Sequence, residues 1–253
     1  MKRLDGKVVI VTGATSGIGE CQAVVMAREG AKIVCVGQNR ERMDRVVQQI
    51  RSEGNEATPC IASVEIAADC RRAAALAVET YGRIDCLCNT AGIFDGFKKS
   101  HEQTEEAWDR MFEVDVKGIF LMCNAVLPEM LKNKEGSIIN VASIAGLTGG
   151  AGGATYVAAK HAVVGYTKQL CVDYAADGIR SNAIAAGCVW TAILDKIVAD
   201  NPSENEKMLE TIPCKRVGMP EDIAYLSVFL ASDEAKWIHG AIISADGGRQ
   251  ALG

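Results

Sequence analysis

Short apolar runs of strand length alternate with amphipathic stretches of helix length along this 253-residue chain, and the alternation limits the possible folds more than any motif does. A run such as Val8-Val9-Ile10-Val11 is apolar at every position, so both of its faces must be covered. That is the condition of a strand inside a parallel sheet with helices on each side. The pattern predicts strands over 7–12, 32–36, 57–62, 85–89, 137–142, 179–185 and 241–245. Helices are predicted over 17–29, 41–52, 67–81, 105–131, 156–176 and 220–231, with Pro220 in a first turn where its missing N–H is not needed. No proline- or serine-rich linker and no internal repeat divides the chain, so residues 1–253 read as a single α/β domain able to bury a core without staples. The stretch 188–218 breaks the alternation with helical fragments, Asn201-Pro202-Ser203 and an isolated Pro213. It follows a strand's carboxyl end and is expected to form a substrate lid.

A formal charge of −5 argues against nucleic acid or an anionic membrane as the main partner. No apolar run approaches the roughly 20 residues of a membrane span. Met1-Lys2-Arg3-Leu4 carries two cations, but no small-residue cleavage site follows the first apolar run, which reads as a strand and not as a signal peptide. A cytoplasmic protein is expected. Most of the ten cysteines sit in apolar segments, among them Cys35, Cys86 and Cys88 in strands and Cys21, Cys123 and Cys171 in helices. There is no C-x-x-C, and His101, His161 and His239 form no zinc-like cluster, so no metal site is expected.

The first strand runs into Thr12-Gly13-Ala14-Thr15-Ser16-Gly17-Ile18-Gly19. A strand, a tight glycine turn and a helix N-terminus present free backbone N–H groups and the positive end of the helix dipole to a pyrophosphate. The ending Gly-Lys-Ser/Thr of a P-loop is missing, which disfavours an ATPase. Farther on, Tyr156 and Lys160 are four apart and share a helix face, and Ser143 stands thirteen residues before the tyrosine. A free phenol, with a pKa of about 10, is a poor acid or base at neutral pH. A neighbouring ammonium favours the phenolate and brings the group into catalytic range, while a serine hydroxyl can hold a carbonyl or alcohol oxygen against it. A methyltransferase binding S-adenosylmethionine would use a glycine turn but would not need the tyrosine–lysine pair.

Five motifs in order make the chain resemble the short-chain dehydrogenase/reductase family over essentially its whole length. They are the glycine turn; Asn89-Thr90-Ala91-Gly92; Ser143 with Tyr156-x-x-x-Lys160; Asn182 to Gly187; and Arg216 to Ala224. The resemblance implies a Rossmann-like doubly wound α/β fold with a mostly parallel seven-stranded sheet and helices on both faces. It also implies hydride transfer between a nicotinamide cofactor and a secondary alcohol or ketone. Tyr156 would be general acid or base, Lys160 would tune it and bind the nicotinamide ribose, and Ser143 would orient the substrate oxygen. The cofactor would be held by Gly13, Thr15, Ser16, Gly17, Ile18, Gly19, Gln38, Arg40, Ser63, Val64, Asn89, Ala91, Gly92, Val189 and Thr191, together with Tyr156 and Lys160.

Departures from the family pattern define the open questions. Asp115 stands where the family has asparagine, so its carboxylate is expected either to pair with Lys160 or to disturb the helix bend, and it joins the catalytic set. Ser63 replaces an aspartate beside the adenine, and Gly37 leaves no carboxylate for the ribose 2′-hydroxyl, while Arg40 or Arg42 can reach a 2′-phosphate. NADP(H) is therefore expected over NAD(H), although Gln38 is not the arginine common in NADP-dependent relatives. The glycine-rich 146–153 loop, Ala145, Trp190 and the apolar residues Ile193, Leu194, Ile197 and Val198 suggest a roomy apolar pocket with no charged anchor. A steroid or bile-acid hydroxyl fits it, as does a smaller cyclic or acyl ketone. A dinucleotide-binding sensor or scaffold without turnover is the alternative from another class. By resemblance the chain would form a homotetramer or homodimer.

Overall fold

The computed structural model describes residues 2–200 and 208–252. Seven strands, β1 (Val8–Thr12), β2 (Lys32–Gly37), β3 (Ala57–Ile61), β4 (Cys86–Asn89), β5 (Gly136–Val141), β6 (Ile179–Ala186) and β7 (Ile242–Ala245), form one sheet. Their order is β3-β2-β1-β4-β5-β6-β7, and every pairing is parallel. The order reverses between β1 and β4, so helices cover both faces of a doubly wound Rossmann-like sheet. The helices are α1 (Gly17–Arg28), α2 (Arg40–Ser52), α3 (Ala67–Tyr81), α4 (Glu105–Phe112), α5 (Gly118–Asn133), α6 (Ala154–Tyr174), α7 (Ala192–Asp200) and α8 (Pro220–Ala231).

Alternate residues of β1 serve opposite layers, as the two-residue period of a strand requires. Val9 and Val11 pack with Ala23 and Met26 of α1, Val46 and Ile50 of α2 and Ile223 and Val228 of α8. Val8 and Ile10 pack with Ala73 of α3, Met122 and Val126 of α5 and Val163 of α6. The uninterrupted apolar run of β1 thus follows from burial on both sides.

One predicted helix differs. The span predicted as continuous over 105–131 is α4 and α5 joined by a π-helical turn, Glu113–Lys117. A π turn carries more residues than an α turn and so shifts which side chains face inward. Here it buries both Val114 and Asp115, which are consecutive in the chain. Among the described residues no helix is long and apolar enough to cross a membrane. Residues 201–207 of the expected lid, including Asn201-Pro202-Ser203, lie outside the described residues.

Candidate active site

Because all strands run parallel, their carboxyl ends share one edge, where the connecting loops form a crevice. A cavity of about 400 Å³ opens there, lined by Ile18, Thr90, Gly92, Phe94, Ser143, Tyr156, Lys160, Val189, Thr191 and Leu194 among others. The Thr12 hydroxyl at the end of β1 accepts the N–H groups of Thr90 (2.9 Å) and Ala91 (3.1 Å), fastening the β4 loop beside the glycine turn.

Tyr156 lies in the first turn of α6, whose N-cap residue, Gly153, has no side chain to satisfy the free N–H groups. Asp95, from the loop after β4, does so from a distance. Its Oδ1 accepts the Gly153 N–H at 2.9 Å and its Oδ2 accepts the Tyr156 N–H at 3.0 Å. A carboxylate at this end also complements the helix dipole. A side chain at Gly153 would collide with the Asp95 carboxylate, and a Cβ at Gly152 would lie 2.6 Å from Tyr156 Cδ1. These two glycines therefore allow close approach and do not serve to enlarge the pocket, whereas Gly150 and Ala151 do line it. Phe94 meets the Tyr156 ring edge-on, with centroids 5.0 Å apart.

One turn along α6, the Lys160 ammonium lies 5.3 Å from the Tyr156 ring centroid. It is almost wholly buried, 2.9 Å from Oδ2 of the fully buried Asp115, and donates to the Val141 carbonyl at 3.4 Å. The other Asp115 oxygen accepts the Ile93 N–H at 2.8 Å. Oδ2 receives no aligned hydrogen bond, so its contact with the ammonium is ionic. Burial works against the charge on Lys160 and is the largest single influence, but Asp115 and Tyr156 outweigh it, and the pKa stands above the ordinary lysine value. Of the two expectations for Asp115, pairing with Lys160 is the observed one, and it occurs within the π turn. Ser143 follows β5 and caps the short turn Ile144–Gly146, its Oγ accepting the Ala145 N–H at 3.1 Å.

A hydroxyl, a phenol and a buried ammonium thus line one mostly apolar cavity. A family model described as Enoyl-(Acyl carrier protein) reductase matches residues 13–250. The 3-oxoacyl-[acyl-carrier-protein] reductase FabG of Thermotoga maritima is 36% identical over 246 residues, spanning 97% of this chain and 98% of that one. A solved 7α-hydroxysteroid dehydrogenase in complex with NADH and 7-oxo glycochenodeoxycholic acid superposes with a TM-score of 0.92 at 32% identity, covering 97% of this chain and 95% of that one. An Agrobacterium tumefaciens structure with bound NADP gives a TM-score of 0.88 at 35% identity over 98% of each chain. This chain is a short-chain dehydrogenase/reductase. As such it is an NAD(P)-dependent oxidoreductase that acts on CH–OH and carbonyl groups of small molecules.

The glycine turn of this short-chain dehydrogenase/reductase fits a dinucleotide. Gly13 and Gly17 have φ of +69° and +56°, and a side chain on Gly19 would strike the Gly13 carbonyl. Ser16 makes no side-chain capping bond, leaving the first N–H groups of α1 directed outward for phosphate oxygens. Ile18, Gly92, Val189 and Thr191 line the cavity. Gln38 and Arg40 stand exposed at the end of β2, apart from that cavity, with the Gln38 amide donating to Ser63 Oγ at 3.1 Å. Thr15 lies against Gly37, where a Cβ would stand 2.7 Å from its methyl group.

Two residues expected to hold the cofactor have buried side chains, and three expectations about the pocket need correction. Asn89 turns inward, donating to Asn140 Oδ1 at 2.9 Å, and links β4 to β5 instead of facing the crevice. Val64 is buried against the start of α5. Ala145 is fully buried and serves Ser143 through its backbone, not the substrate through its side chain. Trp190 does not line the cavity, because its indole N–H donates to Asp195 Oδ1 at 2.9 Å and holds the ring toward α7. Finally, the pocket is not free of charge beyond Lys160, since Asp246 and Arg249 also line it. Ile193 and Leu194 line it as expected, Val198 does not, and the side chain of Ile197 lies outside the described residues. Asp95, Phe94 and Arg249 were missed: the first two lie just after the Asn89–Gly92 motif, a position that was the only available signal.

Proposed function

We propose that the protein interconverts a secondary alcohol and a ketone on a largely apolar substrate, with Ser143, Tyr156 and Lys160 doing the proton work. The observation that carries this reading is the convergence of these three side chains on one apolar cavity beside the glycine turn. The nicotinamide supplies or accepts the hydride when bound. Tyr156 gives a proton to the carbonyl oxygen in reduction and takes it back in oxidation, and the Ser143 hydroxyl holds that oxygen. Lys160, kept cationic by Asp115, places a positive charge beside the phenol.

A steroid or bile-acid hydroxyl is the first substrate class. The apolar lining supports it, as does the likeness to the structure that holds a 7-oxo bile acid. A smaller cyclic or acyl ketone is the second, favoured by the cavity volume. About 400 Å³ is near the lower end for ligand sites, and the nicotinamide ring must share it. NADP(H) is the proposed cofactor, supported by the absence of a carboxylate at Gly37 and by exposed Arg40 and Arg42 close by. A cytoplasmic homotetramer or homodimer is the proposed state, supported by ten free thiols and by exposed Trp108 and Phe120 on the α4–α5 face. A panel of secondary alcohols, including steroids and cyclohexanols, assayed with NAD and NADP in parallel tests the reading. Turnover of a secondary alcohol faster with NADP supports it, and no turnover of any member of the panel rejects it.

A further inference from the structure

We infer that Arg249 anchors a carboxylate on the substrate, at the end remote from the carbon that exchanges hydride; this rests on the reaction proposed above. Arg249 begins the short C-terminal turn Arg249–Leu252 that follows β7, is half-buried, and lines the same cavity as Ser143 and Tyr156. Two cations reach that cavity among the described residues, and they differ in commitment. Lys160 is paired with Asp115, whereas no described residue forms a hydrogen bond or ion pair with the Arg249 guanidinium.

Asp246 also lines the cavity but forms no ion pair with Arg249. Its Oδ1 accepts the Gly248 N–H at 2.9 Å and its Oδ2 accepts the Gln250 N–H at 2.8 Å. Those bonds fold the turn that carries the arginine, so Asp246 acts as its scaffold. Gly247 and Gly248, with φ of +66° and +90°, permit the tight path between the two. A guanidinium partly withdrawn from water, without a partner among the described residues and in a cavity also lined by apolar Leu194 and Ile212, is costly unless an anion completes it. Its planar fork suits a carboxylate, which it can grip with two parallel hydrogen bonds. The cofactor's phosphates are a poor match. The glycine turn follows β1, and β1 and β7 are separated by β4, β5 and β6 in the sheet. Arg249 therefore enters from the side of α7, opposite to the direction in which the dinucleotide extends toward β2.

The test compares two ketones of matched shape, 4-oxocyclohexanecarboxylate and 4-oxocyclohexanecarboxamide, in the wild type, Arg249→Gln and Arg249→Lys. Reduction is followed with NADPH and NADH, and binding to cofactor-loaded protein by calorimetry. The wild type is expected to favour the carboxylate in kcat/KM by about 10- to 100-fold, the range for a charged hydrogen-bonded pair, mainly through KM. Arg249→Gln should bring the carboxylate-to-carboxamide ratio close to one, and Arg249→Lys should restore part of it. Equal ratios in wild type and Arg249→Gln overturn the anchor and leave the proposed reaction standing. An equal loss of NADPH affinity in Arg249→Gln assigns the arginine to the cofactor and also overturns it. If neither ketone is reduced, the reaction reading is what fails, and calorimetry still decides the anchor. A tenfold or greater loss of carboxylate affinity in Arg249→Gln supports it, and equal or undetectable binding in both proteins rejects it.

Discussion

The two ends of the cofactor crevice are built in opposite ways. At the nicotinamide end, Tyr156 and Lys160 are held by carboxylates from distant parts of the chain, Asp95 from the β4 loop and Asp115 from the π turn. Both pairings lie on or inside the packed interior. At the β2 end, Gln38 donates to Ser63 Oγ, Ser63 in turn donates to Glu65 and Asp69 close by in sequence, and Arg40 and Arg42 project into solvent. A site fixed by long-range buried contacts has one geometry, and disturbing it disturbs the fold as well. A site made of exposed side chains can change its ligand preference without changing the framework. The chemistry is therefore expected to resist alteration in this protein, and the choice of dinucleotide to yield to it.

Substitutions at the two ends should separate in size. Tyr156→Phe keeps the ring packed on Phe94 but removes the transferable proton, and it should lower kcat by about 10²–10⁴-fold with dinucleotide affinity nearly unchanged. Retention of more than about a tenth of wild-type kcat would remove Tyr156 from the proposed role. Asp95→Ala strips the cap from α6 and should cost about 0.5–2 kcal/mol of stability, measured by denaturant unfolding. It should also lower kcat several-fold more than it weakens cofactor binding, because the loosened turn is the one that carries Tyr156. A loss of stability with kcat intact would make Asp95 a purely structural cap. Arg40→Ala, at the exposed end, should weaken NADP(H) by only about 1 kcal/mol and spare NAD(H), and Gln38→Arg should shift preference toward NADP(H). Equal effects on both cofactors would refute a 2′-phosphate contact. Gly37→Asp is a poor probe, since its Cβ would press on Thr15.

Most of the fold was legible because burial on both sides writes itself into uninterrupted apolar runs such as Val8–Val11, and glycine turns have few substitutes. The π turn was not legible, because Val114-Asp115-Val116 reads equally well as part of a continuous helix, and only packing decides which of them turns inward. Ser143, Tyr156 and Lys160 could be read from spacing on a single helix and its preceding strand. Asp95 could not, since it acts on residues 58 and 61 positions away and leaves no local pattern. Ala145 and Trp190 were misplaced for a related reason. Composition shows that a residue is small or aromatic but not whether it faces the cavity, and here a backbone bond to Ser143 and an indole bond to Asp195 decide that.

The central claim is that the buried Asp115–Lys160 pair sets the working charge beside Tyr156. Lys160 has a raised pKa in the folded protein, so the pair's contribution to stability is complete below the ordinary lysine value of 10.5. That contribution is lost as pH climbs through the higher folded value. The most direct measurement is the alcohol-oxidation rate against pH for the wild type and Asp115→Asn, with unfolding followed on the same samples. Removing the carboxylate takes away the charge that favours the buried ammonium, so Lys160 loses its proton at lower pH. The high-pH limb of the profile, where Lys160 loses its charge, should therefore move to lower pH, and breaking a buried pair should cost on the order of 3–5 kcal/mol of stability. An unmoved or upward-shifted profile in a stable, active Asp115→Asn protein would contradict the account.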